Sequence, residues 1–382
     1  MHIFSVGQSV LGCFFDILFF LMLFLYSKKS LKRCIPQRRI YICLLIILLF
    51  CIFNFCSGDF YHYYETIQDL SKTHINISKW ELGDHLEVPY LLTSKFVNYH
   101  YYAFRIIIWG GALILSYLTA KRMNVDRGLW VFCFVAFTLS LFAYARVSLA
   151  MALSFYGMSL IVNPSAKNNS PSLFSVTRFV GIFLVVSSIW FHKSAVIMLI
   201  IAPLSLLKIN KKVLIITVIA FPVVTWLVNH HFFDYINLIS GTNNIVDLNA
   251  VSYYSTYYEN ERGLGSLLSY GLNLSKFYAL LILIVFVVLG KQYKELPYHI
   301  AVFFNAAFWI IVLSSVFATA DLSSEVLFYR LLYYSIIPAP IILSFAKRYL
   351  NVQKLFYTVI SLAFMQAVYM LLYAFYGYYI FL

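Results

Sequence analysis

Arg146 and His192 bracket the stretch of this chain best suited to chemistry. Between them run two apolar segments, VSLAMALSFYGMSLIV and TRFVGIFLVVSSIWF, joined by a short polar break. An arginine fork stays charged and binds a diphosphate bidentately. A histidine takes or passes a proton near neutral pH. Arg105, Lys193 and Arg330 also stand at the ends of apolar runs. A charge in that position either serves a ligand or snorkels as an anchor. Carboxylates and tyrosines add a second group of candidates: Asp59, Glu87, Asp321 and Glu325, with Tyr63, Tyr90, Tyr254 and Tyr258.

The elements that must position these groups follow from composition. Hydrophobic residues make up 62% of the chain and charged residues 11%, more apolar surface than a soluble domain of this length can hide. Runs of about 20 apolar residues recur throughout, the length that spans ~30 Å of hydrocarbon. The runs are apolar all round, without the period-2 alternation of barrel strands. The expectation is an all-α, polytopic membrane protein, one transmembrane domain over 1–382. Its spans fall near 10–26, 40–56, 101–120, 129–145, 146–162, 178–191, 194–207, 213–229, 273–290, 298–318, 329–346 and 355–376. The first apolar segment lacks a basic leader and a small-residue cleavage site, so no cleavable signal peptide is expected.

Charge sets the orientation. Alternate connections carry Lys28, Lys29, Lys32, Arg33, Arg38, Arg39, then Lys121, Arg122, Arg127, then Lys167 and Arg178. Lys208, Lys211, Lys212, Lys291, Lys294, Lys347, Arg348 and Lys354 continue the series, which holds nineteen of the 28 lysines and arginines. The positive-inside rule makes this side cytoplasmic and puts both termini outside. The net charge of +13 is thus a topology signal, and no nucleic-acid partner is expected. From Leu129 to Val162 no Pro or Gly marks a turn, yet 34 residues are too long for one span. Dividing the run at Arg146 preserves the charge alternation in every later loop. The two segments then climb roughly 21–24 Å each and return His192 to the depth of Arg146.

Length is invested on the outer side, in connections near 57–100, 230–272 and 319–329. They combine carboxylates with clustered tyrosines, which suit either an interfacial aromatic belt or a sugar-binding surface. Tyr253, Tyr254, Tyr257 and Tyr258 are spaced to share one face of a helix. Loops of about 40 residues favour the functional reading. The cytoplasmic loops are short and contain no P-loop or Gly-rich phosphate cradle. Chemistry is therefore expected outside, where nucleotide donors are absent and a lipid-linked donor is the natural substrate. Cys13, Cys34, Cys43, Cys51, Cys56 and Cys133 lack metal-ligand or outer-loop disulfide spacing, and neither metal nor cofactor is expected.

Arg146 followed by Ala150, then Phe191-His192-x-Ser194-Ala195, resembles the EpsG family of exopolysaccharide and O-antigen polymerases. Gly58-Asp59-x-x-x-Tyr63 and Glu87-x-x-Tyr90 are similar to that family's first-loop pattern, and Arg330 heads the expected late span. The family's usual Gly-x-Asp reads here as Ser57-Gly58-Asp59, and Pro89 falls between Glu87 and Tyr90. The resemblance implies a bacterial inner-membrane polymerase of the Wzy type. Such an enzyme joins undecaprenyl-diphosphate-linked oligosaccharide units on the periplasmic face, with a chain-length regulator and a flippase as partners.

On this reading Arg146, Arg330 and Lys193 hold the diphosphate and stabilise its developing charge. The base is His192 or an outer carboxylate, Asp59, Glu87, Asp321 or Glu325, and His192 is equally suited to orienting a phosphate. Tyr63, Tyr90, Tyr254 and Tyr258 meet the sugars, with Asp321 and Glu325 also available to sugar hydroxyls. The alternatives are a flippase for lipid-linked sugars, an O-antigen ligase and a sugar acyltransferase. A flippase should carry mid-membrane charge and repeated halves, yet no internal repeat is visible and mid-span charge is limited mainly to Asp16.

Overall fold

Apolar runs satisfy their own backbone groups only as helices, and every regular element among the described residues is helical. The computed structural model describes residues 17–27, 36–53, 64, 67–68, 71–72, 88–144, 147–162, 175–240, 264–290, 292–316, 331–346, 357, 361 and 364. Two helices, Tyr101–Arg122 and Tyr298–Val316, are by length and composition able to cross a membrane. Six other apolar helices are shorter. The all-α expectation stands, and the chain's apolar helices are consistent with a membrane protein. The expected count of twelve spans goes beyond these helices and enters below as part of the proposed function.

The chain forms two compact units, residues 1–200 with 336–382, and residues 201–335. In the first unit the helices are α1 (Ile17–Ser27), α2 (Gln37–Ile52), α3 (Val88–Phe96), α4 (Tyr101–Arg122) and α5 (Arg127–Cys133). A π-helical turn, Phe134–Thr138, carries α5 into α6 (Leu139–Tyr144), followed by α7 (Ser148–Val162) and α8 (Val176–Phe191). Local chemistry sets the boundaries. His100 caps α4 by accepting from Ala103 N–H, and Lys121 and Arg122 in its last turn complement its dipole. Asn124 (φ 54°) turns the chain in the left-handed region, and the Asp126 carboxylate caps α5 through Gly128 and Leu129 N–H.

α7 and α8 form an antiparallel hairpin that also packs on α4. A methyl group on Gly157 would lie 2.6 Å from the Gly181 carbonyl oxygen, and one on Gly181 equally close to that of Gly157. The two backbones therefore touch, as small residues permit at membrane-type helix interfaces. Ser154 Oγ and Ser188 Oγ meet across the same seam at 2.8 Å. On the opposite face of α8, Phe179, Ile182, Phe183, Val186 and Trp190 are exposed. The buried face of this helix is thus more polar than its exposed face, the reverse of a soluble amphipathic helix.

The π turn is anchored from afar. Thr138 Oγ1 donates to the Ile336 carbonyl at 2.8 Å. Ile336 ends the 3₁₀ turn Tyr333–Ile336, two residues before the helix Pro338–Ala346, so the bond ties the π turn to the entry of that helix. The proline-bearing helix packs on α5 and on the π turn.

In the second unit α9 is Met198–Leu206, which begins in the first unit, α10 is Lys211–Ser240 and α11 is Leu264–Leu289; α12 (Gln292–Glu295) and α13 (Tyr298–Val316) follow. α13 packs on α10 and α11. Buried Asn305 on α13 donates to the Ser205 and Leu207 carbonyls at 2.9 and 2.8 Å, closing the C-terminal end of α9. α10 continues to Ser240, past the edge expected near 229, and α11 starts at Leu264, before the edge expected at 273.

Candidate functional site

The hairpin ends in a corner built on His192. α8 stops because His192 takes an extended backbone (φ −164°, ψ 126°), while its N–H still donates to the Ser188 carbonyl at 3.2 Å. The same residue opens a 3₁₀ turn, Lys193–Ile197, in which Ala195 N–H returns to the His192 carbonyl at 2.9 Å. The imidazole is held from below. Ser194 N–H reaches its Nδ1 at 3.3 Å, and Ser194 Oγ stands 2.6 Å from the same nitrogen. The residue is only 8% exposed.

Register places the start of α7 beside this corner. Ser154 pairs with Ser188, Gly157 meets Val185, and Ile161 meets Gly181. Extending that register one turn brings Ala150 level with His192. The segment before α7 is fixed by side chains. Trp109 Nε1 and Ser148 Oγ both donate to the Phe142 carbonyl, at 3.0 and 2.7 Å. A last-turn carbonyl needs such outside donors, so the helix end there is locked on two sides. α6 ends at Tyr144 and α7 begins at Ser148, in keeping with a division of the run around Arg146.

Arg105 stands one turn from Trp109 on α4. Its guanidinium donates to the Cys51 carbonyl through Nε (3.0 Å) and Nη2, and to Tyr101 Oη through Nη1 (2.9 Å). It also lies over the Trp109 ring at 4.3 Å. Cys51 is in the last turn of α2, so this border arginine ties α2 to α4 by satisfying a terminal carbonyl. It is 1% exposed.

Tyr90 joins the first-loop segment to the corner. Its ring meets Phe191 edge-on at 6.3 Å and Phe104 at 6.2 Å. Tyr90 is fully buried, and its ring packs this junction. The Tyr90 segment and the Phe191-His192 segment, about a hundred residues apart in sequence, are thereby brought together.

The EpsG family model matches residues 39–381, nearly the whole chain. The chain belongs to the EpsG family. No curated protein and no solved structure matches it.

In this EpsG-family chain the other expected site residues lie outside the described ones: Arg146, Arg330, Asp59, Glu87, Tyr63, Tyr254, Tyr258, Asp321 and Glu325. Lys193 opens the 3₁₀ turn by its backbone, and its side chain is not described. Cys43, Cys51 and Cys133 are buried free thiols. Among the described residues no three His, Cys, Asp or Glu side chains gather as a metal site would require.

Two features of the EpsG-family chain fall outside the expected site residues. Ser194 is one serine among many until the turn carries it under His192. Lys276 is fully buried at the middle of α11. Its signal is a lone cation within the run from Leu267 to Leu289, obscured when the span is started at 273.

Proposed function

We propose that this chain is a membrane-embedded polysaccharide polymerase that extends a lipid-linked oligosaccharide outside the cytoplasm. The observation that carries the reading is the family match over residues 39–381. The inverted polarity of α8 supports a lipid setting, and the basic alternation along the chain supports about twelve spans with the His192 corner on the outer face.

In the reaction proposed, the anomeric carbon of the growing chain breaks its bond to the oxygen of undecaprenyl diphosphate. It forms a new bond to a hydroxyl on the next lipid-linked unit. The diphosphate leaves with the electron pair, and the hydroxyl proton passes to a base. Arg146, one residue before the described turn at Val147, and Arg330 would hold the departing phosphates, where a guanidinium fork stabilises charge as it develops. Tyr90 and Phe191 join α3 to the His192 corner.

The test is to supply purified undecaprenyl-diphosphate-linked repeat units to purified protein. A ladder of lengths is expected, and single units throughout would reject the polymerase. A transporter reading is favoured by one observation, the fully buried Lys276 at the middle of α11. It predicts flipping of the same lipid in vesicles and no ladder.

A further inference from the structure

The hydrogen bonds at Nδ1 determine which proton the His192 ring carries. A backbone N–H cannot turn away from its acceptor, whereas a hydroxyl rotates to suit either partner. Ser194 N–H points at Nδ1 at 3.3 Å. A proton on Nδ1 would oppose it, so Nδ1 presents a lone pair, and Ser194 Oγ at 2.6 Å donates to that same lone pair. The turn that creates this arrangement is short and well anchored, by His192 N–H on Ser188 and by Ala195 N–H on the His192 carbonyl. We propose that Ser194 is a positioning residue that holds His192 as its Nε2–H tautomer, so that His192 donates a hydrogen bond to a phosphoryl oxygen of the lipid diphosphate. His192 then does not take the proton of the acceptor hydroxyl.

This inference rests on the polymerase reading for its ligand, and it removes the histidine from the candidate bases. A neutral ring with Nε2–H has no free lone pair for the acceptor's proton, because its lone pair is already engaged at Nδ1. The proton then goes to an outer carboxylate, and the ring contributes a directed donor to the phosphoryl oxygen. A second-layer group that fixes the tautomer of a working histidine is a common arrangement at metal and triad sites, and here a serine two residues on supplies it.

The test uses full-length protein in lipid with ¹⁵N-labelled histidine. The His192 signals are assigned by subtracting the spectrum of His192→Gln, since the chain has nine histidines. The expected result is an unprotonated Nδ1 and a protonated Nε2 in wild type, a mixture of tautomers in Ser194→Ala, and restoration in Ser194→Thr. Added undecaprenyl diphosphate should shift the Nε2 signal. A protonated Nδ1 in wild type, or an Nε2 signal indifferent to that lipid, would overturn the inference. The lipid-linked units then supply a second arm. Glutamine places an amide N–H near the Nε2 position and asparagine near the Nδ1 position. His192→Gln should therefore keep activity within about tenfold, and His192→Asn should lose about a hundredfold or more. Equal loss in both would mean that the ring acts as a base. A wild-type protein that makes no ladder at all would instead reject the polymerase, while the spectra still judge the tautomer.

Discussion

The rings of Tyr90 and Phe191 meet at 85° with centroids 6.3 Å apart, joining α3 to the last residue of α8. The edge-to-face geometry is the favourable one for aromatic pairs, and Tyr90 is buried on every side. Tyr90→Ala is expected to destabilise the protein by about 3 kcal/mol, the usual cost of emptying a buried aromatic site. Polymer should be lost together with thermal stability in detergent. A full loss of polymer at unchanged stability would instead assign Tyr90 to substrate.

At the hairpin seam, Gly157→Leu or Gly181→Leu should separate α7 from α8, because even a methyl group would stand 2.6 Å from a carbonyl oxygen. Overpacking of this kind costs about 1–3 kcal/mol or more. The measurement is the melting temperature of the solubilised protein, and an unchanged value would mean that the helices are not in backbone contact.

Arg105 should behave as a structural arginine. Arg105→Lys keeps the charge but cannot fork onto the Cys51 carbonyl while reaching Tyr101. Breaking a buried hydrogen-bonded charge costs about 3–5 kcal/mol. Folded protein in the membrane should fall for both Arg105→Lys and Arg105→Met. Normal levels with no polymer would instead assign Arg105 to substrate.

Thr138→Val leaves the Ile336 carbonyl without its donor, a loss of about 1–3 kcal/mol. The measurement is the melting temperature of the solubilised protein, and an unchanged value for Thr138→Val would refute the link between the π turn and the chain entering the helix Pro338–Ala346.

The helical class and the division near Arg146 are legible in the sequence because they rest on run length and charge alternation, which are local. Arg105 is visible as a border charge, but its role depends on a carbonyl 54 residues away, and no spacing rule reports that. The π turn at Phe134–Thr138 contains neither Gly nor Pro, so nothing in its composition marks it. Tyr90 reads as a loop tyrosine because the helix around it, α3, is stabilised by packing on α4 and α8 more than by its own composition. Of the candidate site, His192 was found from its place at the end of an apolar run. Ser194 is legible only as part of a motif, because its contact with His192 depends on a backbone turn.

In the proposed reaction Arg146 serves the lipid diphosphate of a polymerase. That role is tested most directly by incubating purified wild-type and Arg146→Ala protein with undecaprenyl-diphosphate-linked repeat units and resolving the products by length. Wild type should give a ladder, and the variant, equally folded, should leave single units with a loss of at least about a hundredfold. Long chains made by Arg146→Ala at wild-type rates would contradict the account.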